Sequence, residues 1–185
     1  AEALSKVGAD QLSLSGNTLT FASDDVMIDL GALVKGFAAD QMKTYLTENG
    51  VTSGLLNLGG NVLTIGSRPD GSDWSIGIQK PFDDNDPIID VVKVKDQTVV
   101  SSGIYERYFK QDGVIYHHIL DPDTGYPIQN DLWGVSIICD SSLTGDALST
   151  TCMTLGYEKA NDLIQSLDQT EAEFILDDCK LKKTF

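Results

Sequence analysis

The apolar positions change period several times along the chain, and each change marks an element. In QLSLSGNTLTFA, Leu12, Leu14, Leu19 and Phe21 alternate with polar residues around Ser15-Gly16-Asn17. A period of two interrupted by a Gly turn predicts a β-hairpin. After the segment DLGALVKG, Val34, Phe37, Ala38, Met42, Tyr45 and Leu46 recur at spacings of three and four. That predicts a helix, which Gly50 stops. Short apolar runs then predict strands from Leu55 to Leu58, Val62 to Ile65, Trp74 to Ile78, Ile88 to Val94 and Thr98 to Val100. Gly59-Gly60, Pro69-Asp70-Gly71 and the acidic run Asp83 to Asp86 separate them.

Two further strands, Tyr105 to Phe109 and Val114 to Leu120, bracket Gln111-Asp112-Gly113. The turn Asp121-Pro122-Asp123-Thr124-Gly125 leads to an apolar strand from Leu132 to Cys139. Ser141 or Ser142 then suits the N-cap of a helix. Its expected buried stripe is Ala147, Leu148, Thr151, Cys152 and Leu155. A last helix carries Ala160, Leu163, Ile164 and Leu167, and Glu173 to Leu176 reads as a strand. No repeat and no Pro- or Ser-rich linker divides the sequence. The pattern predicts an α+β fold, a mainly antiparallel sheet with about three helices, as a single domain over residues 1–185.

Composition narrows the function classes. The 185 residues are 41% apolar, enough for one domain with a core. Thirteen Lys and Arg face 28 Asp and Glu, a formal charge of −15. Such a surface disfavours duplex nucleic acid and anionic membranes, whose binding is driven by cationic side chains. An acidic protein that handles a phosphorylated small molecule needs a divalent cation between itself and the phosphates. No apolar run reaches the roughly 18 residues of a spanning helix. The segment AEALSKVGADQ lacks the charged and apolar regions of a signal peptide. Cys139, Cys152 and Cys179 show no zinc spacing and are expected in the core.

Several residues carry candidate chemistry. His117 and His118 are the only histidines, adjacent at a predicted strand end. Neighbours on a strand point to opposite faces, so only one can serve a given site. Asp146 and Thr150 are four apart and share a helix face opposite the expected apolar stripe. A carboxylate and a hydroxyl at that spacing can bind one hard cation, with Ser149 as another oxygen donor. A plain exposed helix face with an Asp in its first turn explains the same pair. In DLGALVKG, Gly31 and Gly36 permit close backbone approach, a helix start offers N–H groups to phosphate, and Lys35 is one of few cations. It fits neither GxxxxGK[ST] nor GxGxxG, and a simple strand-to-helix connection explains it as well. Ser101-Ser102-Gly103 is no GxSxG elbow.

Taken in order, IDLGALVKGFAAD, LLNLGGNVLTIG, WSIGIQKP, SSGIYERYF and YHHILDPDTGYPI with TGDALSTTCMTLG resemble the ApbE family of bacterial FAD:protein FMN transferases over nearly the whole chain. The resemblance implies a T-fold-related flavin transferase fold of paired β-α units. It implies transfer of FMN from FAD to a Thr or Ser hydroxyl of a target flavoprotein, with Mg²⁺ and release of AMP. Carried over by motif, Asp146 and Thr150 look like metal ligands, joined by the backbone carbonyl of Ala32. Asp29, Lys35 and Leu120 resemble contacts to the flavin nucleotide. His118, directly before ILDP, resembles the catalytic His and takes precedence over His117.

By the same resemblance, the chain is expected to be the C-terminal portion of the family's domain. The N-terminal part, which supplies much of the FAD pocket, is then missing, with weak FAD binding and self-association as consequences. An extracytoplasmic, membrane-anchored lipoprotein location is implied too, its signal and anchor lying upstream. Where Ser149 stands, some members have Asp, so one acidic ligand is lost. Two other readings stand beside the transferase. A Mg²⁺-dependent FAD pyrophosphatase would use water in place of the hydroxyl. A non-catalytic flavin-binding module leaves the retained His118, Asp146 and Thr150 unexplained.

Overall fold

The architecture follows from which strands are apolar on both faces and which on one. The computed structural model describes residues 3–83, 85 and 88–185; Asp84 and Asp86 of the acidic run lie outside them. β1 (Leu12–Ser15) and β2 (Thr18–Phe21) form the hairpin expected from their alternation, with Gly16 in the left-handed region at φ 58°. α1 (Val34–Glu48) follows, then β3 (Gly54–Asn57) and β4 (Asn61–Ile65), joined by Gly59-Gly60. β5 (Trp74–Gln79) and β6 (Ile88–Val94) pair with each other, as do β8 (Tyr108–Gln111) and β9 (Val114–His117), on either side of β7 (Thr98–Gly103). β10 (Leu132–Cys139), α2 (Ser142–Leu155), α3 (Tyr157–Gln165), β11 (Glu171–Leu176) and β12 (Leu181–Lys183) complete the chain.

Six strands form the main sheet in the order β12-β11-β10-β7-β4-β3, every neighbouring pair antiparallel. β10 is central and covered on both faces, which is why its sequence is an almost continuous apolar run. On one face Ile137, Phe174, Cys152, Met153 and Ile164 pack with α2 and α3. On the other, Ile76, Ile78, Val92 and Val94 of the β5–β6 hairpin pack on Val99, Ile138 and Ile175. A smaller cluster of Ala39, Leu63 and Ile65 sits under α1. The α+β reading and three α-helices hold, and residues 4–6 and 9–11 add two short 3-10 turns.

α1 and α2 bury faces different from those expected, whereas α3 buries Ala160 and Ile164 as predicted. In α1 the buried residues are Gly36 and Ala39, whereas Val34, Phe37, Met42 and Tyr45 are exposed. α2 buries Ser142, Gly145, Asp146, Ser149, Cys152 and Met153, while Thr151 and Leu155 of the expected stripe are exposed. The reason is steric. A Cβ on Gly36 would lie 2.2 Å from the Ser142 carbonyl oxygen, and one on Gly145 would lie 2.7 Å from Val100 Cγ2. Small residues let α1, α2 and β7 approach so closely that polar groups, not large apolar ones, fill the contact.

The two helices cap each other. Asp40 of α1 accepts hydrogen bonds from Ser142 N (2.8 Å), Leu143 N (3.0 Å) and Ser141 Oγ (3.0 Å). Ser141 is the N-cap, its hydroxyl accepting from Thr144 N at 3.3 Å. In return Asp146 of α2 accepts from Gly36 N in the first turn of α1. Each carboxylate satisfies amides that a helix start leaves without partners, at the positive end of the other helix's dipole.

Candidate active site

This helix contact opens onto a cavity of about 510 Å³. Its wall includes Asp29, Ala32, Lys35, His118, Leu120, Asp146 and Thr150, so one concavity collects every residue to which the family resemblance gives a role. They come from three segments far apart in the chain: the approach to α1, the stretch after β9, and α2.

Asp146 is 4% exposed, which contradicts the reading of an exposed helix face. Its Oδ2 accepts from Gly36 N and its Oδ1 accepts from Asn61 Nδ2 at 3.0 Å. Asn61, at the start of β4, is itself fully buried, and its Oδ1 accepts from Ser142 Oγ at 2.7 Å. Both carboxylate oxygens are therefore held by neutral donors, and no described cation forms an ion pair with this group. Gly36 N donates to Asp146 and not to the carbonyl four residues earlier, which leaves Ala32 O without a backbone donor among the described residues. The role expected of Gly36 is thus corrected: its small size serves helix packing, and its N–H serves Asp146.

Ser149, the extra oxygen donor considered above, is otherwise engaged. Its hydroxyl donates to Asp146 O at 3.0 Å and accepts from Ser102 Oγ at 2.9 Å. Thr150, one residue on, keeps its hydroxyl free of any described partner. The oxygens available to a hard cation are thus the Asp146 carboxylate, the Thr150 hydroxyl and the Ala32 carbonyl. That donor chemistry fits Mg²⁺, which prefers one or two carboxylates supplemented by substrate phosphates. Among the described residues no group of three or more His, Cys, Asp or Glu exists that would form an all-protein cage.

The two histidines separate as the strand period requires. His117 is 7% exposed, with Nε2 3.0 Å from Ile128 O and Nδ1 accepting from Ile119 N at 3.3 Å. Burial lowers its pKa below the usual value. His118 is exposed and faces the cavity. Its backbone N–H donates to Arg107 O at 3.2 Å, and its Nδ1 lies 3.3 Å from the same carbonyl. A carbonyl only accepts, so Nδ1 carries the hydrogen, and in the neutral ring the lone pair is then on Nε2. β9 ends at His117, earlier than predicted, so residues 118–120 form cavity wall instead of strand; Leu120 bridges to Pro127.

The opposite rim is built by the start of α1. Gly31 N donates to Asp29 Oδ1 at 2.6 Å, which fixes the turn carrying Ala32. Lys35 Nζ donates to Gly59 O at 2.7 Å. Gly59 and Gly60 both have positive φ, and a Cβ on Gly60 would stand 3.2 Å from Ser101 O and 3.9 Å from Lys35 Nζ. Sequence reasoning missed Glu106, Arg107 and Thr154, which also line the cavity, and Asn61, which holds Asp146. The SSGIYERYF stretch contained the first two, but a strand predicted from Tyr105 hid the turn at residues 104–107 that presents them.

Comparisons with known proteins place the chain in a family. Residues 1–174 match the ApbE family. A FAD:protein FMN transferase of Klebsiella pneumoniae is 44% identical over 148 residues, covering 80% of this chain and 45% of the relative. One from Treponema pallidum is 39% identical over 174 residues, covering 90% and 48%. The chain spans about half the length of these curated relatives. The crystal structure of the ApbE protein of Thermotoga maritima superposes with a TM-score of 0.85 at 32% identity, over 98% of this chain and 59% of the other. The flavin transferase ApbE of Vibrio cholerae gives 0.84 at 31% identity, over 98% and 58%.

Proposed function

Because this chain belongs to the ApbE family, we propose that its cavity transfers FMN from FAD to a Thr or Ser hydroxyl of a target flavoprotein, with Mg²⁺ required and AMP released. The observation that carries the reading is convergence. A base with a free lone pair, a hard-oxygen donor set and a Lys-bearing helix start from separate segments line one cavity.

In this reading the acceptor oxygen attacks the FMN-side phosphorus of the diphosphate. A new P–O bond forms, the bond to the bridging oxygen breaks, and that oxygen leaves on AMP. His118 Nε2 takes the hydroxyl proton, while Arg107 O keeps the ring oriented and its tautomer fixed. Asp146, Thr150 and Ala32 O would hold the divalent cation. The chemistry it would supply there is neutralisation of charge on the phosphates and the leaving group. Asp29, Lys35 and Leu120 orient the nucleotide along the rim. The relatives' extra length accords with a flavin pocket completed by residues beyond this chain, and the exposed stripe of α1 gives this chain an apolar face for self-association. An extracytoplasmic, membrane-anchored location is part of the same reading and is supported by the resemblance alone.

The full-length protein, incubated with FAD and Mg²⁺ with and without an acceptor flavoprotein domain, tests the proposal. FMN attached to the acceptor, seen by mass spectrometry, together with free AMP, is the expected result. Free FMN with no attachment assigns the cavity to FAD hydrolysis instead. Unchanged FAD rejects both.

A further inference from the structure

The cavity is acidic except at two points. Lys35 and Arg107 are the only Lys or Arg among its described lining residues, against Asp29, Glu106 and Asp146. The two cations differ in what they are free to do. Lys35 is tied to the Gly59 carbonyl. The Arg107 guanidinium makes no hydrogen bond, ion pair or ring contact with any described residue.

The backbone of Arg107 is, by contrast, closely held. Its carbonyl accepts from both the N–H and the Nδ1–H of His118. The turn that carries it is fixed by packing: a Cβ on Gly103 would lie 2.3 Å from Tyr105 Cε1, so the ring lies flat across the glycine and the chain turns over it. Arg107 thus has a main chain locked to the proposed base and a free cationic side chain beside the same cavity.

We propose that Arg107 contacts the substrate, its guanidinium receiving phosphate oxygens of a nucleotide diphosphate beside His118. The inference depends on the reading of the cavity as a FAD site and deepens it. A diphosphate placed among Asp29, Glu106 and Asp146 meets like charge on several sides, and Lys35 has given one of its three donors to Gly59 O while the Arg107 guanidinium keeps all of its own. A guanidinium is always charged, and its planar fork matches two phosphate oxygens at once. The same residue then sets the tautomer of the base with its carbonyl and positions the reacting phosphate with its side chain.

The test compares FAD, ADP and riboflavin as ligands of the full-length protein, in the wild type and in Arg107→Ala and Arg107→Lys. Titrations follow flavin fluorescence for FAD and riboflavin, and heat for ADP. Loss of a charge-assisted contact should weaken FAD and ADP roughly 10- to 100-fold in Arg107→Ala. Riboflavin, which lacks phosphate, should bind as before, and the thermal midpoint should not move. Arg107→Lys should recover part of the loss, and added methylguanidinium should recover part of it in Arg107→Ala. Unchanged ADP and FAD binding in Arg107→Ala overturns the proposal. So does an equal loss of riboflavin, which would mean that Arg107 acts on the flavin end or through the fold. A wild type that binds none of the three rejects the FAD reading itself, and this inference with it.

Discussion

Asp146 and Glu173 are both buried carboxylates on the same sheet-and-helix framework, 4% and 0% exposed, and they are compensated in opposite ways. Glu173, on β11, has Lys183 Nζ of β12 only 2.6 Å from Oε1. Lys183 also pairs with Asp90 of the β5–β6 hairpin, so one ammonium ties the hairpin and the last strand to the sheet. Burial and the nearby Asp90 still push the Glu173 carboxyl up to about 6, against the pull of Lys183. Lys183 and Glu173 in turn hold Asp90 down to about 2. Asp146 has no such partner: a backbone amide and a side-chain amide hold it, both neutral. A carboxylate that is hydrogen-bonded but not neutralised, and that borders a cavity, is poised for an external cation. One neutralised by its own lysine is a structural clamp.

The sharpest way to break this contrast is to remove each charge in turn. Asp146→Ala is expected to abolish Mg²⁺-dependent FMN transfer in the full-length protein, whereas Glu173→Gln should leave the rate within a few-fold. Comparable rate losses in both would place Asp146 among the clamps. The histidine pair extends the test. His118→Ala should cost on the order of 10²–10⁴ in rate, the usual range for an acid–base group. His117→Ala should lower the melting temperature far more than the rate, since it removes two buried hydrogen bonds.

Stability sharpens the comparison at smaller scale. Asp146→Ala strands Gly36 N–H and the Asn61 amide, so chemical denaturation should show a loss of about 1–3 kcal/mol for each donor left buried and unpaired. Asp146→Asn, which retains a carbonyl oxygen, should lose less. For Glu173 the expected signal is a slope with pH. Its folded pKa lies above the ordinary value near 4.5, so the folded state binds the proton more tightly. Its contribution is therefore fully present below about pH 4.5 and lost as pH rises through about 6, a change of about 2 kcal/mol. Asp90 runs the other way: its contribution is present above about pH 4 and lost as pH falls through about 2. Denaturation of wild type and Glu173→Gln at pH 4.5 and 7.5 isolates the first effect, because the substitution removes only that slope. Parallel pH profiles would show that Glu173 is not held as described.

The contrast also marks where the sequence was legible. Elements carried by apolar periodicity were read well: the core strand β10, the Ala160–Ile164 face of α3, and the β1–β2 hairpin, although the hairpin's Leu14, Leu19 and Phe21 are exposed. The packing of α2 on α1 and β7 was not, because its buried face is Gly36, Ser142 and Asp146 toward α1 and Gly145 and Ser149 toward β7, which no hydrophobic pattern detects. The exposed Phe37 and Tyr45 of α1 compounded the error by suggesting the wrong side. Strand β12 was missed because Leu181–Lys183 is short and basic at a sheet edge, yet it supplies the lysine for Glu173. That Asp29, Lys35, His118 and Asp146 belong together was legible only through the resemblance, since spacing alone could neither choose between the histidines nor bring Asp29 to the cavity that Asp146 lines. Arg107 was hidden by a strand predicted three residues too early.

The central proposal is that Asp146, which has no cationic partner among the described residues, holds a metal together with the nucleotide. Titration of FAD into the full-length protein, with and without Mg²⁺, in wild type and Asp146→Asn, tests it most directly. The account predicts that Mg²⁺ tightens FAD binding to the wild type and has no effect on the variant, with both folded by circular dichroism. An equal Mg²⁺ enhancement in the two proteins would contradict it.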